Sequence, residues 1–231
     1  MKKLVSIIVP AYNEQDTILK ILNKLNNVFK GRYEYEIIVI NDCSTDQTKK
    51  ILDENKDLYE SVINNNNNIG KGGSIKKALQ ISNGDYIFFQ DADDEYDPKD
   101  FEKFFYVIEN FDPDCIIGTR FKFNDYIRSH YFFNKIGNFV ITNLFNLIYN
   151  TTFTDIYSCY FVFKRELIDF NKLKTSGFEQ QAEILARVVK NGKKFYEVPI
   201  NYNGRTFEEG KKIKFKDFFK VIYQILIMKF L

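Results

Sequence analysis

One histidine, His130, is all that this 231-residue chain contains. The side chain that most often moves protons at neutral pH is therefore scarce, and chemistry has to be sought among carboxylates and cationic groups. Cysteine is also sparse: Cys43, Cys115 and Cys159 are odd in number and far apart. Neither a disulfide framework nor a metal-binding spacing can be built from them, which fits a reducing cytosol. No uninterrupted apolar run approaches the ~20 residues of a membrane span. Met1-Lys2-Lys3-Leu4 runs straight into a strand-like segment, so no signal peptide is expected. The net charge of +2 carries no overall nucleic-acid signal, and no nucleic-acid partner is expected. No Gly-X-Gly-X-X-Gly follows a strand, which argues against a dehydrogenase. The Gly-X4-Gly-Lys-Ser/Thr order of a P-loop is absent as well.

What the chain does have is a globular composition, with 45% apolar and 28% charged residues. Its length suits one domain with a sizeable core. Short apolar runs predict buried strands at Leu4–Pro10, Glu36–Ile40, Ser61–Ile63, Tyr86–Phe89 and Cys115–Gly118. Helical spacing separates them over Glu14–Phe29, from Ser44 or Thr45 as cap through Leu58, over Ile75–Ile81, and from Pro98 to about Asn110. Alternation of this kind predicts an α/β fold: a mostly parallel sheet with helices on both faces. The second half reads as a long aromatic helix over Tyr131–Tyr149, a strand at Asp155–Phe163, a helix over Phe178–Lys190, a strand at Phe195–Ile200 and a last helix over Phe215–Leu231. No internal repeat is evident, and the Asn64–Asn68 run reads as compositional drift in a loop.

Parallel sheets bind ligands outside the carboxyl ends of their strands. Three polar segments converge on that edge, after Ile8, Ile40 and Phe89. The last is Asp91-Ala92-Asp93-Asp94-Glu95. Two carboxylates one residue apart at a strand end can both face a hard cation such as Mg²⁺ or Mn²⁺, the kind of ion that holds a nucleoside diphosphate. A solvated acidic loop would look the same. In Pro10-Ala11-Tyr12-Asn13-Glu14, Tyr12 can stack on a nucleobase and Glu14 can accept from base or ribose; a helix start capped by Asn13 is the alternative. In Asn41-Asp42-Cys43-Ser44-Thr45-Asp46, Asp42 can accept from an N–H of uracil or guanine, while Ser44, Thr45 and Asp46 equally suit capping. In Gly70-Lys71-Gly72-Gly73-Ser74, glycine permits close backbone approach and Lys71 supplies charge for phosphate, although a plain turn explains it as well.

Taken in order, these segments resemble family 2 glycosyltransferases of GT-A fold. Further motifs resemble the dolichyl/polyprenyl-phosphate sugar synthase branch: Gly118-Thr119-Arg120, Thr154 through Tyr160, Phe178-Glu179, and Glu197 through Lys212. The likeness runs from about Val5 to Asp217. It implies that Pro10, Tyr12, Glu14 and Asp42 hold the nucleoside, with Lys71 near base or phosphates. Asp91 and Asp93 would be the metal ligands, and Ala92 and Glu95 would complete the donor site. Arg120, Arg128, Ser158 and Arg205 would contact acceptor or donor phosphates, with Asp93, Arg120 and Arg128 as the catalytic set. Asn41 stands where an aspartate is common and Cys43 where a glycine is common, departures that bear on base recognition.

The resemblance implies inverting transfer of a hexose from a GDP- or UDP-linked donor to a polyprenyl or dolichyl phosphate, at the cytosolic face of a membrane. An alternative is the same fold with a hydroxyl acceptor, which would need a base such as Asp155 or Glu179. Another is a non-catalytic nucleotide-sugar-binding module. The expected division is a GT-A domain over 1–213 and a basic amphipathic helix over 214–231. From Gly204 to Leu231 there are seven Lys/Arg against three acids. Phe215, Phe218, Phe219, Ile222, Tyr223, Leu226, Ile227 and Phe230 recur at helical spacing. That pattern fits peripheral contact with anionic lipid, or a helix packed on the protein's own core.

Overall fold

The computed structural model describes residues 3–121, 132–204 and 215–231. Seven strands form one sheet in the order β3 (Ser61–Asn64), β2 (Glu34–Asn41), β1 (Leu4–Ala11), β4 (Tyr86–Phe89), β6 (Phe161–Lys164), β5 (Cys115–Thr119) and β7 (Phe195–Pro199). All neighbours are parallel except β6, which runs antiparallel to both β4 and β5. The central strands are buried on both faces, so they read as unbroken apolar runs rather than alternating ones: Ile7, Ile8, Val9, Ile38, Val39, Ile40, Ile87 and Phe88 are all fully buried.

On one face, α1 (Ile18–Phe29) and α4 (Phe101–Phe111) pack through rings. Phe29 lies 5.6 Å from Phe88 and 4.9 Å from Phe105, in edge-to-face contact. The next residue, Phe89, points the other way and meets Phe161 and Phe163. The remaining helices are α2 (Thr48–Glu54), α3 (Gly70–Ile81), α5 (Phe132–Tyr149), α6 (Gln180–Asn191) and α7 (Phe215–Phe230). Helix α7 lays Val221, Ile225 and Met228 against α5 and α6, where Tyr149 donates to the Ile225 carbonyl at 3.0 Å. Its opposite face leaves Phe219, Tyr223 and Phe230 exposed, and α5 likewise exposes Phe132, Phe133, Phe139 and Leu147. The expected division between 213 and 214 falls outside the described residues.

Four of the boundaries that differ from the sequence expectation do so for a clear physical reason. Helix α1 starts at Ile18, not Glu14, because Asn13 takes a positive φ of 56° and residues 13–15 give their amides to the side chains of Ser44, Thr48 and Asp46. Helix α2 stops at Glu54: Asn55 leaves helical geometry and turns its side-chain amide back to the Ile51 carbonyl. Helix α3 begins at Gly70, five residues before the expected Ile75, so the glycine segment is its first turn rather than a loop. The strand expected from Asp155 is confined to Phe161–Lys164, because Asp155 is taken up in a buried ion pair.

Candidate active site

The sheet order reverses at β1: the chain moves outward to β2 and β3, then returns to place β4 on the other side. The carboxyl ends of β1, β2 and β4 therefore flank a cleft at the switch point. The cleft encloses about 590 Å³ and is lined by Pro10, Tyr12, Glu14, Asp42, Lys71, Asp91, Ala92, Asp93, Glu95 and Arg120, among others. Ten of the residues singled out from sequence thus meet in one place.

The β1 and β2 loops are stitched together by reciprocal bonds. Asn13 accepts from the Thr45 amide at 2.8 Å and gives its own amide to Ser44; Asp46 accepts from Gln15 and from Thr48, the first residue of α2. Asp46, rather than Ser44 or Thr45, therefore serves the start of α2. Asp42 is nearly fully buried and accepts from the backbone amides of Ile69 and Gly70 at 2.9 and 2.8 Å, and from Asn65. Its carboxylate caps α3 from a distance and so orients Lys71. Cys43 adopts φ of 61°, the left-handed region that favours glycine.

Gly72 and Gly73 permit close approach as expected, but to the protein itself. A Cβ on Gly72 would stand 2.4 Å from the Ser176 carbonyl oxygen, and Gly73 donates its amide to that same oxygen. The first turn of α3 is thereby pressed against the loop preceding α6. Lys71 projects into the cleft with its Nζ 2.5 Å from Asp91 and 3.7 Å from the Cys159 sulfur. Enclosure works against its charge, yet the Asp91 carboxylate outweighs this and holds the ammonium well above the ordinary lysine range. Burial, then the carboxylates of Asp91 and Glu95, push Asp93 up to about 7. The negative charge of Asp91 and Glu95 acting on Asp93 makes this part of the cleft favourable to a cation. Among the described residues no group of three metal-ligating side chains is assembled. Asp91 and Asp93 offer carboxylate oxygens of the kind that a hard divalent ion takes.

Arg120 is placed in the cleft wall, but its guanidinium is committed. Nε and Nη2 donate to the two oxygens of Asp155 at 2.7 and 2.8 Å, Nη1 reaches the Tyr96 hydroxyl, and the Tyr202 ring lies 5.0 Å away. Asp155 is fully buried and also accepts from Asn138, so it is no candidate base. Ser158 is fully buried with its hydroxyl unpartnered, and it is not among the lining residues. Glu179 does not line the cleft either. Arg128 and Arg205 lie outside the described residues.

Sequence reading missed several lining residues: Tyr96, Tyr202, Gln180, Gln181 and, from α7, Asp217. Tyr202 donates to Glu95 at 2.8 Å and pairs by a β-bridge with Tyr96, tying the segment after β7 to the acidic loop. The glutamines carried one sequence signal, a polar pair opening an amphipathic helix just after Gly177. Nothing in its periodicity says which end of that helix meets a ligand.

Comparison with known proteins follows the same lines. The sequence model of the family described as "Glycosyl transferase family 2" matches residues 6–170. A dolichol-phosphate mannosyltransferase of Pyrococcus furiosus is 27% identical over 226 residues, covering 96% of this chain and 62% of the relative. The chain thus spans less than two thirds of that relative's length. A UDP-N-acetylglucosamine–dolichyl-phosphate N-acetylglucosaminyltransferase of Methanococcus voltae is 28% identical, covering 98% of this chain and 96% of the relative. Among solved structures, glucosyl-3-phosphoglycerate synthase from Mycobacterium tuberculosis, in complex with Mn²⁺, UDP and phosphoglyceric acid, superposes with a TM-score of 0.71. It shows 16% identity and covers 98% of this chain and 78% of that one. That likeness shows the GT-A fold.

Proposed function

The chain belongs to glycosyl transferase family 2, and on that premise we propose that it transfers a hexose, with inversion, from a GDP- or UDP-linked donor to a polyprenyl or dolichyl phosphate. The carrying observation is the convergence of Tyr12, Asp42, Lys71, Asp91 and Asp93 on one cleft at the switch point of the sheet. Tyr12 and Asp42 sit where β1 and β2 end and would receive the nucleoside. Lys71 would meet the diphosphate from the first turn of α3. Asp91 and Asp93 would hold Mg²⁺ or Mn²⁺, which when bound offsets charge building on the leaving diphosphate. Arg120, paired with Asp155, acts in this reading as a positioning residue that braces Tyr96 and Tyr202 beside Glu95.

A phosphate monoester is already anionic at neutral pH and needs cations rather than a base to become a nucleophile. The burial of Asp155 and its four hydrogen bonds support this acceptor over an alcohol. So do the names of the two archaeal relatives. Arg128 and Arg205 would hold the acceptor phosphate. No helix among the described residues is long and apolar enough to cross a membrane. The exposed aromatic faces of α5 and α7 would instead give peripheral contact at the cytosolic face, where the lipid phosphate lies.

The test is a panel of GDP- and UDP-hexoses with Mg²⁺ or Mn²⁺, offered polyprenyl phosphate or the free polyprenol. The expected result is transfer to the phosphate only, with Arg128→Ala raising KM for the lipid phosphate far more than for the nucleotide sugar. Equal turnover of the alcohol would move the assignment to a hydroxyl acceptor.

A further inference from the structure

Asp94 is the acidic member of the 91–95 run that does not line the cleft. Asp91, Asp93 and Glu95 line it, whereas the Asp94 carboxylate meets α1, where Lys20 and Lys24 donate to its Oδ2 and Oδ1 at 2.5 and 3.0 Å. The two lysines are one helical turn apart and so share a side of α1. Lys24 also reaches Asp97, at 3.5 Å. Asp94 itself takes a φ of 57°, in the left-handed region that glycine adopts most readily. A residue other than glycine stays there only where its surroundings hold it. Here the two lysines do so.

The turn at Asp94 bears directly on the candidate metal ligands. The amide of Glu95, next along the chain, donates back to Oδ1 of Asp93 at 3.2 Å. The direction of that amide follows from the dihedral angles at Asp94, because the peptide between the two residues is a rigid plane. Glu95 is held in turn by the Tyr202 hydroxyl. Asp91, Asp93, Asp94 and Glu95 put four negative charges into five residues, and like charges so close together drive a loop apart. Pairing Asp94 with two lysines cancels the charge that lies off the cleft and leaves the other three gathered at it. Neither lysine lines the cleft, so their effect on it passes through Asp94. We propose that Asp94, clamped by Lys20 and Lys24, is a positioning residue that sets the Asp93 carboxylate for a divalent cation. The proposal rests on the metal-dependent reading above.

The sign of the effect separates positioning from simple charge. Removing the lysines takes positive charge away from the neighbourhood of a cation, which by itself tightens metal binding. If the lysines hold the loop, their removal weakens it instead. The measurement is the Mn²⁺ concentration that half restores binding of UDP or GDP to the EDTA-treated full chain, followed by calorimetry. Lys20→Met/Lys24→Met should raise that concentration about 10-fold, the lower end of what losing a partner of a metal ligand costs. Tm should change little, because both lysine side chains reach solvent. Lys20→Arg/Lys24→Arg should restore the wild-type value, since arginine also pairs with a carboxylate. Asp94→Asn, which tolerates the same φ, should need more Mn²⁺ as well. An unchanged or lower concentration in the double methionine variant overturns the inference. So does a double arginine variant as weak as the methionine one, or Asp94→Asn at the wild-type value. A wild type whose nucleotide binding is indifferent to Mn²⁺ would overturn the metal assignment itself, and this inference with it.

Discussion

Arg120 and Asp155 face one another fork to fork, with Nε–Oδ2 at 2.7 Å and Nη2–Oδ1 at 2.8 Å, and Asp155 has no solvent exposure. A buried pair of this kind is costly to break from one side, because the remaining charge has no partner. Asp155→Ala is expected to lose about 3–5 kcal/mol in urea unfolding. Arg120→Ala should lose a similar amount, and the double variant less than the sum. A loss under about 1 kcal/mol for Asp155→Ala, the level of an exposed pair, would show that the pair does not brace the fold.

Asp91 and Asp93 lie on a loop rather than in the packed core, so their removal should spare the fold. Asp91→Ala or Asp93→Ala is expected to abolish transfer and the metal-dependent part of nucleotide binding, with little change in Tm. Chelation by EDTA should do the same to the wild type. Full activity of either variant, or turnover in EDTA, would remove the metal from the mechanism.

Gly72 has no room for a side chain, since its Cβ would sit 2.4 Å from the Ser176 backbone oxygen. Gly72→Ala should destabilise by about 1–3 kcal/mol, the usual range for overpacking, and should weaken nucleotide binding by moving Lys71. Gly73→Ala meets the Ile69 side chain first, at 3.1 Å, and should be milder. Equal melting temperatures for the two variants would contradict this account.

Glu183 is fully buried and accepts from the amides of Lys174 and Thr175, the Thr175 hydroxyl and Arg187. Burial acts to raise its pKa, but the bonds from Thr175 and Arg187 outweigh it, and the net shift is downward. A lowered carboxylate contributes stability that is complete above its unfolded value, about 4.3, and is lost as pH falls through the folded one. Chemical denaturation across that acid range should therefore show a steeper loss in the wild type than in Glu183→Gln. Parallel profiles would mean the carboxylate's charge is not what holds the 174–178 loop.

The exposed face of α7 can be tested without removing the helix, whose inner face carries the buried Val221, Ile225 and Met228. Replacing Phe219, Tyr223 and Phe230 together by serine should reduce flotation with anionic vesicles at moderate salt and leave Tm unchanged. If the intact chain never floats with such vesicles, the face has another purpose.

Much of this was legible beforehand because burial on both faces leaves a plain mark. Runs such as Val5–Val9 and Ile37–Ile40 have no polar alternation, and that is how a central parallel strand is written. The polar residues that end them marked the ligand edge, and the cleft gathers every donor-site residue expected there. The boundaries were less legible. Asn55 ends α2 with a bond to its own helix, and Gly70–Gly73 starts α3 because the Ser176 backbone lies alongside. No local pattern announces a neighbour more than a hundred residues away.

The sequence by itself determined the strand–helix alternation, the sheet edge that carries the chemistry and the acidic loop at its centre, because each follows from residue type and spacing along a few adjacent positions. Only the tertiary structure decided how the side chains are used. Arg120 is spent on Asp155 rather than left free, Ser158 is sealed away, Asp42 holds the start of α3, and Gln180 and Gln181 give their amide groups to backbone carbonyls of distant segments. These outcomes depend on which donors and acceptors from distant segments meet in a low-dielectric interior, where a buried polar group must find a partner. Spacing along the chain does not encode that pairing.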